Sequence, residues 1–352
     1  MSSFNLANIR LESVKSIFTA IAGSEQISRS EIAGITGLSL VTAGKIADAL
    51  LDIGILKQQK QVKATAGRRA GLLTINTDKF ALVLDLSKKN FVFSVLDLAL
   101  TPLESVVHTY KNDRLYEDNL RDFLNDIADH VYRQFDLTDC FGFGVALPGV
   151  YHPDTDSVAA SYIPEIQNVR LKELLAEQFP MLPVFMDDGV RLSALSNVSV
   201  LPDYRQKNVL YWFIGKDNTA GTFLMRGDFL EGSLSRACDF GNILLPAGNT
   251  VWAALQRCKS PEEFAAVLSM PVHNCIQILS PHVILLEFES LENCGSVVPE
   301  LLKILHEKYH HRYNHLPDIL GIHYETKQSH RGLVMQLRSY WLERIILEKA
   351  NI

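Results

Sequence analysis

The sequence predicts a protein of the α/β class, with a small helical head ahead of a larger α/β body. Three observations predict this. Apolar residues recur at helical spacing through the first 54 residues. From Phe80 onward, strand-like and helix-like segments alternate. The 352 residues exceed what one typical hydrophobic core holds, so two or three domains are expected.

Charge is unevenly distributed along the chain. Residues 1–71 hold nine Lys or Arg and five Asp or Glu, a net charge of +4, whereas the remainder holds 25 basic and 35 acidic residues, a net charge of −10. A basic head on an acidic body indicates that only the head meets a polyanion. No apolar run reaches the roughly 18–20 residues of a membrane span, and no signal pattern opens the chain. We therefore expect a cytoplasmic protein with no membrane partner.

The five cysteines are scattered through the body. Their odd number and wide spacing favour buried thiols in a reducing compartment over disulfides. They are Cys140, Cys238, Cys258, Cys275 and Cys294.

The head begins with two predicted helices. The first spans residues 8–23. A short second helix follows the capping residue Ser28, with Glu31 at capping-box spacing. Gly37 then forms a turn, because glycine adopts the left-handed conformation that most residues avoid.

A third predicted helix runs from near Ser39 to Gly54 and completes a helix-turn-helix. Its inward face is expected to bury Ile46, Ala49, Leu50 and Ile53. Its N-terminal half would present Leu40, Val41, Thr42 and Lys45 outward, where base edges are reached. We therefore interpret it as a recognition helix, with Thr42 and Lys45 as DNA contacts.

A basic segment from Leu56 to Leu73 follows the third helix and contains no acid. Two β-prone arms around a turn predict a wing, and Gly67-Arg68-Arg69 suits insertion into a minor groove. The DNA contacts expected here are Lys57, Lys60, Lys63, Arg68 and Arg69. A solvated basic surface and a winged helix used for protein contacts are the alternatives.

Strands and helices alternate in the body. Strands are predicted over 80–86, 91–97, 141–147, 184–186, 209–214, 222–225 and 283–286. Helices are predicted over 120–135, 171–179, 191–199, 297–313 and 331–349. This order indicates a body in which helices cover mixed sheets.

Seven short blocks follow one another in an order that resembles the ROK family (repressors, open reading frames and kinases). They are Gly67 to Arg69, Leu84 to Leu86, Gly144 to Gly149, Val184 to Gly189, Gly215 to Gly221, Ala237 to Asn242 and Ser280 to Leu285. The resemblance spans nearly the whole chain. It implies an actin-like, ribonuclease-H-like sugar-kinase fold of two lobes around a cleft, preceded in the repressor members by a winged helix-turn-helix.

The resemblance also divides the chain into domains. The winged helix-turn-helix would occupy residues 1–73, the first α/β lobe residues 74–190, and the second lobe residues 191–330. A C-terminal helix over 331–352 would pack back on the first lobe.

Family kinases hold ATP with three glycine-rich stretches, and this chain departs from each. Asp85-Leu86-Ser87-Lys88-Lys89 stands for Asp-Ile-Gly-Gly-Thr, whose glycines let backbone N–H groups approach phosphate. The second turn, Gly215 to Gly221, has Asp217 and Thr219 in place of two glycines. Leu286-Glu287-Phe288-Glu289 stands for Leu-Gly-Gly-Gly. We therefore expect no enzyme activity and no cofactor.

No metal site is expected either. The family's zinc knuckle, Cys-x-Cys-Gly-x-x-Gly-Cys-x-Glu, has no counterpart, because residues 243–255 contain no cysteine and structural zinc needs about four close ligands. The segment His306-Glu307-Lys308-Tyr309-His310 fits the HExxH pattern of zinc proteases, with Glu325 as a conceivable third ligand. It lies in a helix rich in Lys, Arg and His, which we interpret as facing solvent.

The family's sugar-binding positions remain polar in this chain. The resemblance assigns them to Asp187, Asp188, Asp239 and Asn242, with Gly149 on the opposite wall and Asp188 at the place of the kinases' general base. Planar side chains of this kind can hold vicinal hydroxyls through paired hydrogen bonds. A solvated, vestigial cleft is the alternative.

The head and the altered body together predict a sequence-specific transcriptional regulator of carbohydrate metabolism, expected to repress. Helix-turn-helix geometry favours a homodimer or higher oligomer on a palindromic DNA operator. A carbohydrate effector in the cleft would shift the balance between lobe arrangements. Two alternatives are an active ROK sugar kinase with a regulatory head, and an effector-free regulator controlled by a protein partner.

Overall fold

The computed structural model describes residues 6–59, 71–88, 90–111, 114–159, 161–232, 238–309 and 315–348. The predicted wing contacts Lys60, Lys63, Arg68 and Arg69 lie outside the described residues. The head consists of α1 (Leu6–Ala22), α2 (Arg29–Thr36), α3 (Leu40–Asp52), β1 (Leu56–Gln59) and β2 (Leu72–Ile75), with β1 and β2 paired antiparallel.

The turn chemistry of the head is as predicted. Ser28 accepts a hydrogen bond from the Glu31 backbone, and the Glu31 carboxylate accepts one from Ser28 N at 2.8 Å. This reciprocal pair is a capping box. Gly37 ends α2 with a φ of 69°, in the left-handed region that favours glycine.

The buried face of α3 differs from the predicted one. Ala43, Ala47 and Leu50 are buried, whereas Ile46 and Ile53 are only half-buried. Small alanines let α3 approach α1 and α2 closely, so the helix turns that face inward and leaves the isoleucines at its margin.

The first lobe contains a five-stranded sheet. Its elements are β3 (Phe80–Asp85), β4 (Phe91–Asp97), β5 (Pro102–His108), α4 (Tyr116–Gln134), β6 (Cys140–Leu147), the hairpin β7 (Val150–His152) and β8 (Ser157–Ala159), α5 (Leu171–Gln178) and β9 (Val184–Asp188). The strand order is β5-β4-β3-β6-β9. Strands β3 to β5 are antiparallel neighbours, and β6 and β9 extend the sheet in parallel.

The second lobe repeats this plan. Its elements are α6 (Gly189–Ser199), β10 (Asn208–Ile214), β11 (Thr219–Met225), β12 (Asp228–Phe229), α7 (Val251–Leu255), α8 (Pro261–Leu279), β13 (Val283–Phe288), α9 (Leu291–Tyr309), β14 (Asp318–His323) and α10 (Thr326–Glu348). The strand order β12-β11-β10-β13-β14 again joins three antiparallel strands to two parallel ones. The α/β class with mixed sheets is therefore confirmed.

Helix α10 crosses back to the first lobe and packs on α6, β6 and β3. Glycines allow this close approach. A Cβ on Gly144 would lie 2.5 Å from Leu333 Cγ, and a Cβ on Gly332 would lie 1.9 Å from the Leu192 carbonyl oxygen. The buried contacts of α10 with β6 and with α6 therefore depend on the absence of a side chain at Gly144 and Gly332, respectively.

The C-terminal part of α10 also contacts the head. Lys15 Nζ lies 2.8 Å from Glu343 Oε1. The Arg338 guanidinium lies 4.5 Å from the centre of the Phe18 ring and donates a hydrogen bond to the Leu98 carbonyl at 3.1 Å. Burial lowers the pKa of Arg338 to about 10. One helix thus links the head to the first sheet.

In the part of the chain that the structure describes, no single helix has the length and apolar character to cross a membrane. Helices α2 and α3 reach the necessary length and apolar character only when taken together, and the angle between them is 116°.

Candidate functional site

A cavity of about 300 Å³ lies in the cleft between the two sheets. Small-molecule sites in proteins measure roughly 300–1,000 Å³, so the cavity is at the lower end of that range. The structure brings four of the five predicted sugar-site residues together in its walls: Gly149, Asp188, Asp239 and Asn242.

Gly149 is a glycine because of the hairpin that follows it. A Cβ at this position would lie 2.5 Å from the Ala159 carbonyl oxygen, which is closer than real Cβ atoms come to backbone. The turn between β6 and β7 can therefore pack on β8 only without a side chain, and this packing fixes one wall of the cavity.

Asp188 ends β9 and caps α6. Its Oδ1 accepts hydrogen bonds from Val190 N at 2.8 Å and Arg191 N at 3.2 Å. Burial and the neighbouring Asp187 charge raise the pKa of Asp188 to about 7, although the two backbone donors oppose the shift. A carboxyl group near its pKa can donate or accept a hydrogen bond, which suits the recognition of hydroxyl groups.

Asp187 does not line the cavity, and the prediction of a direct ligand contact there does not match the structure. Its Oδ1 lies 3.1 Å from Arg191 Nε. Arg191 also pairs with Glu231 at 2.7 Å and lies 4.3 Å from the centre of the Phe229 ring. Because Arg191 does line the cavity, Asp187 instead positions this guanidinium.

The opposite wall comes from the second lobe. Asn242 donates a hydrogen bond to Asp239 Oδ2 at 2.9 Å, so the two side chains present one polar surface. Sequence reasoning missed several further lining residues: Tyr162, Arg191, Asp217, Asn218 and Trp252. In the sequence, Asp217 and Asn218 indicate only an altered phosphate turn, and nothing local marks Tyr162 or Trp252 as cavity residues.

An ion pair joins the two lobes beside the turns that the sequence resemblance assigns to nucleotide phosphates. Lys88 Nζ of the first lobe lies 3.0 Å from Glu289 Oε1 of the second. The same ammonium lies 5.2 Å from the centre of the Phe213 ring and 4.8 Å from that of Tyr324. About 20 Å³ of open space remains there, room for about one water molecule.

Glu289 also accepts a hydrogen bond from a backbone N–H of the second phosphate turn that the resemblance indicates. Lys216 N, in the turn between β10 and β11, donates to Glu289 Oε2 at 2.7 Å. Burial alone would raise the pKa of Glu289, but the hydrogen bonds from Lys216 N and Lys88 outweigh it and lower that pKa. The backbone N–H of Lys216, in the second of these turns, is thus already paired with an anionic side chain of the protein.

The aspartate of the first phosphate turn is likewise engaged within the protein. Asp85 is buried and accepts hydrogen bonds from Ser87 N at 2.8 Å and Ser329 Oγ at 2.8 Å, with His330 Nε2 at 3.3 Å. Burial would raise the pKa of Asp85, but His330 and Ser87 lower it below its usual value. Asp85 therefore fastens the first residues of α10 to the first sheet.

The described DNA-contact candidates lie on the surface of the head. Thr42 and Lys45 are exposed on α3. Thr42 Oγ1 lies 2.8 Å from Ser39 Oγ and so belongs to the cap of the helix. Lys57 lies on β1 and pairs with Asp78 at 2.6 Å, so it is not unopposed as the local sequence indicated, because Asp78 follows the basic segment.

No group of three His, Cys, Asp or Glu side chains among the described residues is arranged to hold a metal ion. His306 and Glu307 are exposed on α9, and His310 lies outside the described residues. Cys275 is buried, whereas Cys140, Cys238 and Cys258 are half-buried thiols rather than fully buried ones.

Known proteins that are similar to the chain include transcriptional regulators and a sugar kinase. No protein-family model matches it. It is 30% identical over 174 residues to the DNA-binding transcriptional dual regulator NagC of Escherichia coli K12, which covers 48% of this chain and 42% of NagC. It is 25% identical over 184 residues to the xylose repressor of Caldicellulosiruptor bescii, covering 51% and 45%. The matched region spans less than half of each relative.

Solved structures match over more of the chain. A ROK family transcriptional regulator, a homolog of the E. coli MLC protein, superposes with a TM-score of 0.72 at 16% identity, covering 96% of this chain and 98% of that one. A ROK family glucokinase from Streptomyces griseus, in complex with glucose and AMPPNP, gives 0.55 at 11% identity, covering 73% and 98%. The predicted fold, a winged helix-turn-helix ahead of two actin-like lobes, is thereby confirmed.

Proposed function

We propose that the protein is a sequence-specific DNA-binding transcriptional repressor whose cleft binds a carbohydrate effector without phosphorylating it. The observation that carries the proposal is the pairing of a helix-turn-helix head with a body whose phosphate site is filled by Lys88 and Glu289. A nucleotide would have to displace that ion pair and bring its own charge against Glu289. The cavity beside Asp188 stays open to a neutral polar ligand.

Two copies of the head, acting together, would bind a palindromic operator. Recognition helices of a symmetric dimer reach half-sites about 34 Å apart, or a multiple of that distance. A cytoplasmic homodimer or higher oligomer is therefore part of the proposal. The proposal also includes three domains, which span residues 1–73, 74–190 and 191–330. Helix α10 packs on the first lobe.

The cleft and the head are connected through α6 and α10. Asp188 caps α6, α6 packs along α10, and α10 reaches Phe18 and Lys15 in the head. A ligand that favours one arrangement of the lobes would thereby favour one position of the heads, and DNA would in turn affect ligand affinity.

The test is selection of DNA by the full chain. Purified protein is incubated with duplexes that carry a randomised core, and bound duplexes are recovered, amplified and sequenced over several rounds. Enrichment of an inverted repeat, protected from nuclease digestion by the protein, supports the proposal. Failure to enrich any sequence over the starting library would reject DNA recognition.

A sugar kinase is the second candidate, since the same fold is found in a ROK glucokinase. It would require Asp188 to act as a general base near a bound nucleotide. Incubation with ATP, Mg²⁺ and a panel of hexoses should give no phosphorylated sugar. Turnover that follows the protein through purification and disappears in Asp188→Ala would establish the kinase instead.

A further inference from the structure

The exposed face of α3 is unusually apolar for a surface that is expected to contact DNA. Leu40 is 58% exposed and Val41 is 68% exposed, although no described part of the protein covers them. Lys45 follows on the same face, and Asp48 beyond it is held by Arg29 at 2.5 Å. At 100° per residue, these four positions and Gly44 form one continuous stripe of about 140°, which adjoins the buried face of Ala43, Ala47 and Leu50 on the Leu40 side.

Gly44 lies within this stripe, between Leu40 and Val41 around the helix, and no close contact of the fold requires a glycine there. A Cβ built at Gly44 would meet only Arg29 Cδ, at 4.0 Å, which is an ordinary contact. Glycine within a helix costs about 0.5–1 kcal/mol relative to alanine. A residue that weakens the helix without improving its packing indicates that something outside the protein approaches the backbone closely.

Thr42 lies to the side of the stripe. It is two positions from Leu40 and from Gly44, and its hydroxyl group lies against Ser39 in the helix cap. Apart from Asp48, which pairs with Arg29, the side chains that project from the stripe are Leu40, Val41 and Lys45, and only Lys45 can donate a hydrogen bond.

Resting on the proposed DNA-binding function, we propose that α3 reads base pairs mainly by apolar contact and close approach. Leu40 and Val41 contact the C5-methyl groups of thymines, which only A·T pairs present in the major groove. Gly44 leaves room for a base edge against the helix backbone, and Lys45 contacts a guanine or a phosphate beside it. The operator half-site accordingly contains thymines where α3 docks.

The experiment uses a duplex recovered from the randomised library by the full chain. Each thymine in turn is replaced by deoxyuridine, which removes only the methyl group. Losing one buried methyl should weaken binding about 3- to 5-fold at one or two positions per half-site. Val41→Ala or Leu40→Ala should lose a similar factor on the thymine duplex and become insensitive to deoxyuridine at one of those positions.

Gly44→Ala provides a second test, in which stability and DNA affinity should not fall together. Its melting temperature should equal or exceed that of the wild type, whereas its affinity for the selected duplex should fall more than tenfold. Gly295→Ala is the matched control, because Gly295 is a helical glycine in α9 with nothing within 4 Å of its Cβ position. That variant should show a similar change in melting temperature and unchanged DNA binding.

Three results would overturn the inference. Uniform tolerance of deoxyuridine would exclude methyl contacts, and wild-type affinity in Gly44→Ala would exclude close approach. If the Leu40 and Val41 variants still bind DNA but no longer bind a protein partner, the stripe is a protein-binding surface. If no duplex is enriched at all, the proposed function fails together with the inference. Enrichment without sensitivity at α3 rejects the inference alone.

Discussion

Asp188 is the residue on which the chemistry of the cleft depends most. It ends a strand, caps a helix and lines the cavity, and its carboxyl group has a pKa raised to about 7 by burial and by Asp187. An acid with a raised pKa keeps its proton in the folded protein at a pH where the unfolded chain has released it. Its contribution to stability is therefore complete near pH 4 and is lost as the pH rises to about 7.

Asp188→Asn should remove this dependence. Asparagine caps helices as well as aspartate does, so Asp188→Asn should match the wild type near pH 4. Near pH 8 it should be more stable than the wild type, by up to about 4 kcal/mol, since each unit by which the pKa is raised corresponds to about 1.4 kcal/mol. Urea denaturation at a series of pH values measures the difference. Two curves that stay parallel from pH 4 to pH 8 would show that Asp188 does not carry the shift.

Lys88 and Glu289 should be energetically coupled across the cleft. Each is about one quarter exposed, so water screens the pair only in part. In a double-mutant cycle, Lys88→Met and Glu289→Gln should each destabilise the protein, and the double variant should lose less than the sum, by about 0.5–1 kcal/mol.

Salt provides the control for this cycle. At about 1 M salt, charges are screened beyond roughly 3 Å, so the coupling between Lys88 and Glu289 should shrink. Strictly additive effects at low salt would mean that the ion pair does not hold the lobes together.

Among the elements, α10 has the widest set of contacts. In its first turns Ser329 and His330 contact Asp85, Gly332 then packs against α6, and farther along Arg338 and Glu343 contact the head. Residues of the head, the first sheet and α10 share one hydrophobic core. We infer that the head unfolds together with the first lobe rather than separately.

Arg338→Ala should therefore destabilise the whole protein. It removes the contact with Phe18 and the hydrogen bond to the Leu98 carbonyl, with an expected loss of about 2–3 kcal/mol in urea denaturation. Arg133→Ala is the matched control, because Arg133 is three-quarters exposed and pairs only with exposed Asp129. It should change stability by less than about 0.5 kcal/mol. Equal losses in the two variants would contradict the role given to Arg338.

Local patterns predicted the elements that are regular in sequence. The capping box at Ser28, the turn at Gly37 and the buried strands β3 and β6 are all marked by residues within a few positions. Helix α8 was missed because Pro271 interrupts its pattern, and β14 because it is a short edge strand with alternating exposure. The hydrophobic pattern alone also cannot show that α10 packs on glycines of β6, a strand that lies far from it in the sequence.

The candidate site was predictable only where side chains from one motif point into the cleft. The sequence blocks that contain Asp188 and Asn242 predict their place in the cavity wall. Asp187 instead pairs with Arg191, one helical turn away, and its carboxylate does not line the cavity. Lys88 meets Glu289 across 201 positions of sequence, a contact that only the folded chain reveals. The loss of the phosphate glycines was visible in the sequence, whereas the ion pair that fills their place was not.

At the scale of the whole molecule, α6 and α10 connect the proposed DNA-binding head to the proposed ligand-binding cleft. A carbohydrate that binds the cavity should weaken the affinity for the selected duplex, and the duplex should weaken the affinity for the carbohydrate by the same factor. Asp188→Ala should bind the duplex normally and respond only at about tenfold to a hundredfold higher ligand concentration. Calorimetric titration of each ligand in the presence of the other measures the factor. Release of DNA at the wild-type concentration in Asp188→Ala would place the signal outside the cleft.

The most direct test of the central claim is the ratio of two dissociation constants. Fluorescence anisotropy at physiological salt measures the binding of the full chain to the selected duplex and to a duplex of the same composition in scrambled order. A sequence-specific regulator should bind the selected duplex at least about 1,000-fold more tightly. Equal affinity for the two duplexes, with the same dependence on salt, would contradict sequence-specific recognition by this protein.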